Sequence, residues 1–381
     1  MDSEKTNPRK AGKQMGNSPR QEVIQTLARE ISAGMLPVGQ RLPTEQQLLR
    51  RFRVSRGTVR SALRELAESG VVEHRPGIGC FVGNVSVSKF SGRTVMFLQH
   101  AEAALFGTQI AVGIETKAVE YGCSLSCHWL RDLPTTEQLS SLLKTERPLG
   151  VIYAPQSRPI EDYYRNGNQL LDFLEACNVP YVVVDSPIAC NGIIRGNFVG
   201  SDGYSATRQI AARLFELGHR RIGSIRTFPG VYSADHRFRG VIDQLTADRQ
   251  VVRPEWHRAI DDVPLTEQGR RQIREMMALP EPPGAVICCH DEIALNVIDE
   301  LGKLGRRVPE DVSISGFDDN YFSTPLGIST VRQPFSNVGS RAVEILVELN
   351  RSGSRTKRQE FIPCEVIFRK SVASPRLEQE V

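Results

Sequence analysis

The sequence predicts two domains, a small α+β domain over residues 18–84 and a larger α/β domain with parallel sheets over residues 93–370. The chain has 381 residues, which is more than one ordinary hydrophobic core holds. Its first part combines three helical patterns with one pair of short β-like runs around a turn. From Thr94 onward, apolar β-like runs alternate with helical stretches, and this alternation is typical of parallel strands covered by helices.

Three short segments complete the domain organisation that the sequence predicts. Residues 1–17 are polar and contain Pro8, so we expect a disordered tail. Residues 85–92 are expected to be a linker, and residues 371–381 a C-terminal tail.

The small domain begins with three predicted helices. Ser18-Pro19 supplies an N-cap and a first-turn proline, and apolar spacing continues this helix as far as Gly34. Thr44, with Gln47 three residues later, predicts the capping box of a second helix. Ser55 precedes a third helix, whose buried stripe falls at i, i+3, i+4 and i+7: Val59, Ala62, Leu63 and Leu66.

The second and third helices are rich in arginine. The stretch from Arg41 to Arg64 holds seven arginines, no lysine and one acid, Glu45. Residues 1–84 carry 14 Lys and Arg against 8 Asp and Glu, a net charge of +6, whereas the rest of the chain carries 34 against 36. A solvated charged face is the simplest interpretation, but a basic domain on a slightly acidic body favours a nucleic-acid partner.

A predicted β-hairpin follows the third helix. In "VVEHRPGIGCFV", two β-like runs flank Pro76-Gly77-Ile78-Gly79, with Arg75 beside the small tip. Three helices and a glycine-tipped hairpin form the pattern of a winged helix-turn-helix domain. A narrow hairpin tip with a cation fits a minor groove.

The third helix has the residues that a reader of the major groove needs. Arg56 and Arg60 lie one turn apart, off the buried stripe, with reach to base edges. Ser55 and Thr58 are placed to contact phosphate at the helix N-terminus, and Gly57 permits close approach. Arg50, Arg51 and Arg53 are expected to attract phosphate without reading sequence.

The segment "RLPTEQQLLRRFRVSRGTVRSALRELAESGVVEHRPGIGCFV" resembles the winged-helix signature of the GntR family. The resemblance implies a bacterial transcription regulator that binds palindromic double-stranded operator DNA as a homodimer. Gln46 departs from the signature, because many members have arginine there. The residues expected to contact DNA are Thr44, Ser55, Arg56, Gly57, Thr58, Arg60, Arg75 and Gly77.

Polar residues end several predicted strands of the larger domain, where ligands bind in open α/β sheets. Asp185 ends "PYVVVD", and Ser233 and Arg237 are spaced by four as a helix begins. His290 follows "GAVICC", and Asp318 lies in "VSISGFDD". A sugar site combines hydrogen-bonding groups of this kind with an aromatic face, for which the candidates are Phe106 and Phe317.

Residues 93–370 resemble the effector domain of the LacI/GalR family, which is similar to periplasmic sugar-binding proteins. The "ELGHRRI" and "GRRVPEDVSISGFDD" segments carry this resemblance most specifically. It implies two subdomains joined by three crossovers, near 191–195, 331–335 and 350–358, with a ligand cleft between them. The expected effector-binding residues are Phe106, Asp185, Ser233, Arg237, His290, Asp318 and Gln333.

Two features of the larger domain depart from that family. His290 stands where the family usually has asparagine. The segment 155–169 is longer and more polar than is usual in that family, which predicts a lid or additional pocket residues such as Arg158.

The combination is similar to the arabinose-repressor type of regulator, which joins these two families. It predicts a repressor that responds to a small sugar or related metabolite. A transcription activator with a non-sugar effector is the alternative, and an enzyme built on the α/β domain is a further one. Cys289, His290 and Asp291 superficially suggest a catalytic thiol, but adjacent residues at a strand end are expected to point in different directions, and no catalytic motif is present. We therefore expect no catalytic residues.

Composition excludes several other classes of protein. The eight cysteines form no paired CxxC, so the sequence predicts neither a disulfide framework nor a metal site, and no cofactor is expected. No apolar run is long enough to span a membrane. The polar N-terminus has no apolar signal segment, which predicts a cytoplasmic protein.

Overall fold

The computed structural model divides into two compact units, Met1–Ser91 and Gly92–Val381. The predicted tail 1–17, the Ser18 cap, the linker 85–92, Gly77 and Arg158 lie outside the residues that the structure describes. The described residues are 19–32, 36, 39–68, 72–75, 78–82, 93–100, 104–132, 134–155, 160–190, 193–260, 266–352 and 356–376.

The first unit contains three helices and a two-stranded antiparallel hairpin: α1 (Pro19–Ser32), α2 (Glu45–Phe52), α3 (Arg56–Glu68), β1 (Val72–Arg75) and β2 (Gly79–Val82). The predicted stripe of α3 is buried, and it packs with Val23 and Leu27 of α1 and with Leu48 of α2. This core leaves Arg56, Arg60 and Arg64 exposed on the opposite side of α3. The winged helix-turn-helix prediction is confirmed.

The second unit alternates strands and helices along the chain. Its elements are β3 (Thr94–His100), α4 (Ala104–Glu120), β4 (Ser124–Leu130), α5 (Thr136–Glu146), β5 (Gly150–Ala154), α6 (Ile160–Ala176), β6 (Tyr181–Val184), β7 (Ala189–Cys190), β8 (Ile193–Ile194), β9 (Phe198–Asp202), α7 (Gly203–Glu216), β10 (Ile222–Thr227), α8 (Tyr232–Ala247), a 3-10 turn (Pro254–Trp256), β11 (His257–Ile260), α9 (Glu267–Met277), β12 (Ala285–Cys288), α10 (Asp291–Lys303), β13 (Ser313–Ser315), α11 (Ser323–Leu326), β14 (Thr330–Arg332), α12 (Phe335–Ser352), β15 (Gln359–Pro363) and β16 (Glu365–Ile367).

Two parallel sheets divide this unit into an N-subdomain and a C-subdomain. The N-subdomain has the strand order β15-β9-β6-β5-β3-β4 and is packed by α4, α5, α6 and α12. The C-subdomain has the order β11-β10-β12-β13, is packed by α7 to α10, and carries the β14-β16 pair. All pairings within the two main sheets are parallel, so the predicted α/β fold class is confirmed.

The chain crosses between the subdomains at three places, and two of the three predicted positions are wrong. It crosses where β9 enters α7 at Asp202–Gly203, between β14 and α12, and at Cys364 between β15 and β16. Only the predicted crossover at 331–335 agrees. The prediction at 191–195 missed β9, whose glycine and aspartate obscure a strand pattern, and residues 350–352 still belong to α12.

Crossing at the ends of strands places polar residues at the junction of the subdomains. Asp202 Oδ1 accepts a hydrogen bond from Ser205 N at 3.0 Å, so Asp202 is the N-cap of α7.

Candidate DNA-binding surface and effector cleft

The N-termini of α2 and α3 are fixed by their caps. Thr44 Oγ1 accepts from Gln47 N at 3.4 Å, and Gln47 Oε1 accepts from Thr44 N at 2.8 Å, which confirms the capping box. Ser55 Oγ accepts from Thr58 N at 3.1 Å and lies 2.8 Å from Thr58 Oγ1. The caps leave both hydroxyl groups of the Ser55–Thr58 pair at the start of α3, where the helix favours anions.

Glu45 holds the two arginines that are expected to read bases. Arg56 Nε lies 3.3 Å from Glu45 Oε2, and Arg60 Nε lies 3.1 Å from each carboxylate oxygen. Burial raises the pKa of Glu45, but the hydrogen bonds from Arg60 and Arg56 outweigh it, so the pKa lies below its usual value. The arginine side chains remain 69% and 56% exposed. Surface pairs of this kind contribute about 1 kcal/mol or less, so DNA can displace them.

Arg51 has a structural partner that the sequence did not indicate. Its guanidinium forms a two-pronged ion pair with Glu30 of α1, with Arg51 Nη1 2.9 Å from Glu30 Oε2, and it lies 5.1 Å from the Phe52 ring centre. The hydrogen bond from Arg51 and its charge lower the pKa of Glu30. Arg51 therefore joins α2 to α1, and its expected attraction of phosphate stays a prediction. Arg50 and Arg53 remain exposed.

The local surroundings of Gly57, Arg75 and the hairpin-tip residue Gly79 are defined by the structure. A Cβ at Gly57 would meet only Ser55 Oγ, at an ordinary 3.8 Å, so packing within the domain does not require glycine there. Gly79, at the hairpin tip, has a φ of +135°, which favours glycine. Arg75 Nη2 donates to Glu73 Oε2 at 3.0 Å and stacks on Phe81, with its ring centre 4.5 Å away.

The second unit contains a cleft between its subdomains. The space among its lining residues, including the part that is open to solvent, is about 300 Å³. Both subdomains contribute to the lining: Asp185, Pro187, Phe198, Ser201, Gly203, Tyr232, Ser233, His236, Arg237, Gln333 and Phe361. Four of the seven predicted effector residues are among these: Asp185, Ser233, Arg237 and Gln333.

Asp318 connects the lining residues to one another. Gln333 Nε2 donates to Asp318 Oδ1 at 2.6 Å, and His290 Nδ1 lies 2.9 Å from Asp318 Oδ2. Arg237 Nη1 lies 3.8 Å from Asp318 Oδ1, and both of these side chains are buried. His290 and Asp318 are not in the cleft lining, so the structure places them next to it as supports for Arg237 and Gln333.

Asp185 lines the cleft, and the pKa of its carboxyl group is raised. It ends β6 with a φ of +69°, which turns the chain sharply at the junction. Burial raises the pKa of Asp185 to about 6, although the Arg237 charge opposes this. The carboxyl group is therefore ionised at neutral pH and neutral at mildly acidic pH.

Neither predicted aromatic face lies in the cleft. Phe106 packs against Phe335 of α12, with ring centres 5.1 Å apart, and it is not among the lining residues. Phe317 is fully buried, and Arg237 covers its ring at 3.7 Å from the ring centre. Tyr232, His236 and Phe361 instead form an aromatic wall, with the His236 ring centre 5.1 Å from Tyr232 and 5.4 Å from Phe361.

The aromatic wall was not predicted from the sequence, although part of its signal lies in one helix. Tyr232 and His236 lie on the same helix as Ser233 and Arg237 with the same spacing of four, so the helical period contained the signal. Phe361 had no such signal, because β15 joins β9 in the sheet from more than 150 residues away in the chain.

Two hydrogen bonds cross the cleft directly. Ser186 Oγ donates to Ser233 Oγ at 3.3 Å, and Tyr164 Oη donates to Gly230 O at 2.8 Å. Tyr164 belongs to the segment 155–169, most of which forms the first part of α6. The segment therefore contributes at least one bridge between the subdomains.

Cys289, His290 and Asp291 each have different hydrogen-bond partners. Thr227 N donates to Cys289 Sγ at 3.1 Å, and His290 Nδ1 lies 2.9 Å from Asp318 Oδ2. The Asp291 carboxylate accepts hydrogen bonds from Asn320 N, Ser323 Oγ and Thr330 Oγ1 at 2.6–2.8 Å. The three adjacent side chains therefore point to different partners, as the sequence predicts.

In the part of the chain that is described, no cluster of His, Cys, Asp and Glu is arranged to hold a metal ion. No helix among the same residues has the length and apolar character needed to cross a membrane.

Comparisons with known proteins assign a family to each unit. Residues 19–82 match the gntR family of bacterial regulatory proteins, and residues 211–372 match a periplasmic binding protein-like domain. The chain is 28% identical over 354 residues to the arabinose metabolism transcriptional repressor of Geobacillus stearothermophilus. The match covers 90% of this chain and 94% of that relative.

Two solved structures share the fold. The transcriptional regulator CelR in complex with cellobiose is 22% identical with a TM-score of 0.62, and the match covers 92% of this chain and 99% of that one. The lac repressor dimer bound to operator and the anti-inducer ONPF is 21% identical with a TM-score of 0.60, and the match covers 76% and 97%. The chain is a transcription regulator that joins a GntR-type winged helix-turn-helix domain to a periplasmic-binding-protein-like effector domain.

Proposed function

We propose that this protein is a repressor that binds palindromic operator DNA as a homodimer and releases or retains it in response to a small sugar or related metabolite. The cleft carries the proposal. It is lined from both subdomains by an acid, a buried arginine, an amide and a hydroxyl group beside an aromatic wall. Such a set matches the hydroxyl groups and the C–H face of a sugar ring.

The proposed ligand acts by bridging the two subdomains. Asp185 and Phe361 belong to the N-subdomain, whereas Ser233 and Arg237 belong to α8 of the C-subdomain. A ligand that contacts both sides favours the closed arrangement by as much as its affinity differs between the open and closed states. In a homodimer, closure would change the spacing of the two DNA-binding domains and hence the affinity for a palindrome.

We propose that the homodimer forms through the edge of the N-subdomain. β4 is the edge strand of the six-stranded sheet, and α4 packs beside it. Both present exposed apolar side chains, namely Val112 and Val119 of α4 and Trp129 of β4. Apolar residues clustered on an edge are typical of a protein–protein interface.

We propose that the cleft binds a ligand that regulates DNA binding and that it has no catalytic activity. The relative from Geobacillus stearothermophilus is named as a transcriptional repressor. A regulator of this type acts where the bacterial chromosome is, so we propose a cytoplasmic protein.

A thermal-shift screen of the purified protein tests the effector proposal. Pentoses, hexoses, their phosphates and the disaccharide cellobiose form the panel. A true effector at 100 times its dissociation constant should raise the stability of the second unit by about 2.7 kcal/mol. A panel in which no sugar shifts the unfolding temperature would remove the sugar proposal.

The pH dependence of that stabilisation tests the role of Asp185. Sugar hydroxyl groups donate to the ionised carboxylate, so affinity should be full at pH 7.5 and should fall as pH drops through about 6. The D185N variant should bind more weakly at pH 7.5 and lose this pH dependence. A wild-type affinity that is unchanged between pH 7.5 and 5 would exclude Asp185 as an acceptor.

A further inference from the structure

The wing, which is the hairpin formed by β1 and β2, has a third extended segment beside it. Residues 39–42 pair with the free edge of β2: Leu42 N donates to Cys80 O at 2.8 Å, and Arg41 lies opposite Phe81 in an antiparallel bridge. β2 is therefore paired on both sides, by β1 on one side and by this segment on the other. This pairing fixes the backbone of Arg41 relative to the wing.

The Arg41 side chain reaches the tip of the wing. A Cβ added at Gly79 would lie 3.1 Å from Arg41 Nε and 3.2 Å from Arg41 Nη2, so the guanidinium group lies directly against this glycine. Gly79 and Phe81 are two residues apart in β2 and share one face of it. Arg75 of β1 stacks on Phe81, with its guanidinium carbon 4.5 Å from the ring centre. One face of the wing therefore carries two guanidinium groups, one from each neighbour of β2.

Arg41 differs from the other arginines of this surface in its charge balance. Arg75 pairs with Glu73 at 3.0 Å, and Arg56 pairs with Glu45 at 3.3 Å. No acid pairs with Arg41 among the residues that the structure describes, and Arg41 is exposed. Its five N–H donors are therefore available to acceptors on another molecule, and no ion pair with those residues has to break first.

The tip of the wing belongs to the same surface as the start of α3. Arg41 precedes Glu45 by four residues, and the Glu45 carboxylate holds Arg56 at the first turn of α3. Burial and the Glu45 charge raise the pKa of Cys80 in β2, so Glu45 also lies close to the wing. Ile78 at the tip is apolar but 56% exposed. Arginine together with an exposed apolar side chain on a narrow tip is typical of proteins that enter the minor groove.

We propose that Arg41 contacts DNA in the minor groove beside the wing and favours A·T over G·C base pairs there, an inference that rests on the proposed binding to operator DNA. In the minor groove an A·T pair presents only acceptors, whereas a G·C pair adds the 2-amino group of guanine, which is a donor. A guanidinium group has donors only, so it is matched by A·T and opposed by G·C. The narrow minor groove of A-tracts also attracts arginine by its negative potential.

Base substitutions that change only the minor groove test this contact. The full-length protein is bound to an operator selected from a random pool, in which each base pair is replaced in turn by inosine–cytosine (I·C) and by G·C. Inosine lacks the 2-amino group of guanine but presents the same groups in the major groove. The wild-type protein should bind the I·C operator about 5-fold or more tightly than the G·C operator at one or more positions of each half-site.

Variants of Arg41 and Arg50 assign this preference to one side chain. R41A should lose the preference for I·C at those positions. R41K should keep the salt dependence of wild-type binding, because the charge remains, but only part of the preference, because the planar guanidinium is lost. R50A is the matched control from the exposed surface of α2, and it should weaken binding to both operators by the same factor. The unfolding temperature of each variant shows that the fold is kept.

Two results would overturn the assignment of Arg41 to the minor groove. One is a wild-type protein that binds the I·C and G·C operators equally at every position, and the other is an R41A variant that keeps the wild-type ratio. Uniform weakening of R41A with that ratio kept would mean that Arg41 contacts phosphate. In each of these cases the protein still binds its operator, so the proposed function stands. A protein that binds no DNA would overturn the proposed function and this inference together.

Discussion

Replacing Arg237 with methionine is expected to abolish ligand-induced stabilisation of the second unit. Arg237 lines the cleft, pairs with Asp318, donates to Cys289 O at 2.9 Å and covers the Phe317 ring. Methionine retains much of the apolar length but removes the guanidinium beside the buried Asp318. Removing one partner of a buried pair costs about 3–5 kcal/mol, so the unfolding temperature of the variant should also fall. Calorimetric titration at a temperature where the variant is folded separates the loss of binding from the loss of stability.

Arg226 provides the control for this substitution. It also belongs to the C-subdomain, pairs with Asp235 of α8 at 2.7 Å and stacks on Phe238, but it does not line the cleft. This partly exposed pair should contribute about 1 kcal/mol or less. The R226M variant should therefore bind ligand normally. Equal loss of ligand binding in both variants would show that general destabilisation, and not contact with the ligand, explains the effect.

Replacing Arg56 with alanine is expected to weaken binding to the preferred operator by about 1–3 kcal/mol and to relax the sequence preference. Arg56 is exposed at the first turn of α3, and Glu45 holds it in the free protein. It can therefore turn to a base edge at a small cost. Competition binding against a panel of operators with single base changes measures both effects.

Arg50 is the matched control on the DNA-binding unit, because it is an exposed arginine of α2 outside the first turn of α3. The R50A variant should weaken binding to all sequences alike and flatten the salt dependence by about one unit. If R56A instead behaves as R50A does, with uniform weakening and no change in preference, then Arg56 contacts phosphate and does not read sequence.

The small domain was largely predictable because its signals are local. The capping box of Thr44 and Gln47, the stripe from Val59 to Leu66 and the glycine-tipped hairpin each lie within a short stretch of sequence. The Arg51–Glu30 pair was not predictable, since it joins two helices whose relative positions depend on the packed core.

The effector cleft was predictable only in part, because it is assembled from distant segments. Strand ends pointed to Asp185 and Arg237, as expected for an α/β sheet. The predicted aromatic residues do not line the cleft, because the direction in which a side chain points at a strand end depends on its packing. Phe317, for example, is buried beneath Arg237. Phe361 came from a strand that joins the sheet late in the chain, and no local pattern marks such a strand as part of a ligand site.

The affinity of the full-length protein for DNA, measured with and without a stabilising ligand, tests the central claim most directly. The DNA is obtained by selection from a random pool, and the ligand is a sugar that raises the unfolding temperature. The account predicts that saturating ligand changes the affinity of the wild-type protein by about 5-fold or more, the range typical of allosteric coupling, and leaves that of R237M unchanged. An unchanged wild-type affinity with ligand bound in the cleft would contradict the account.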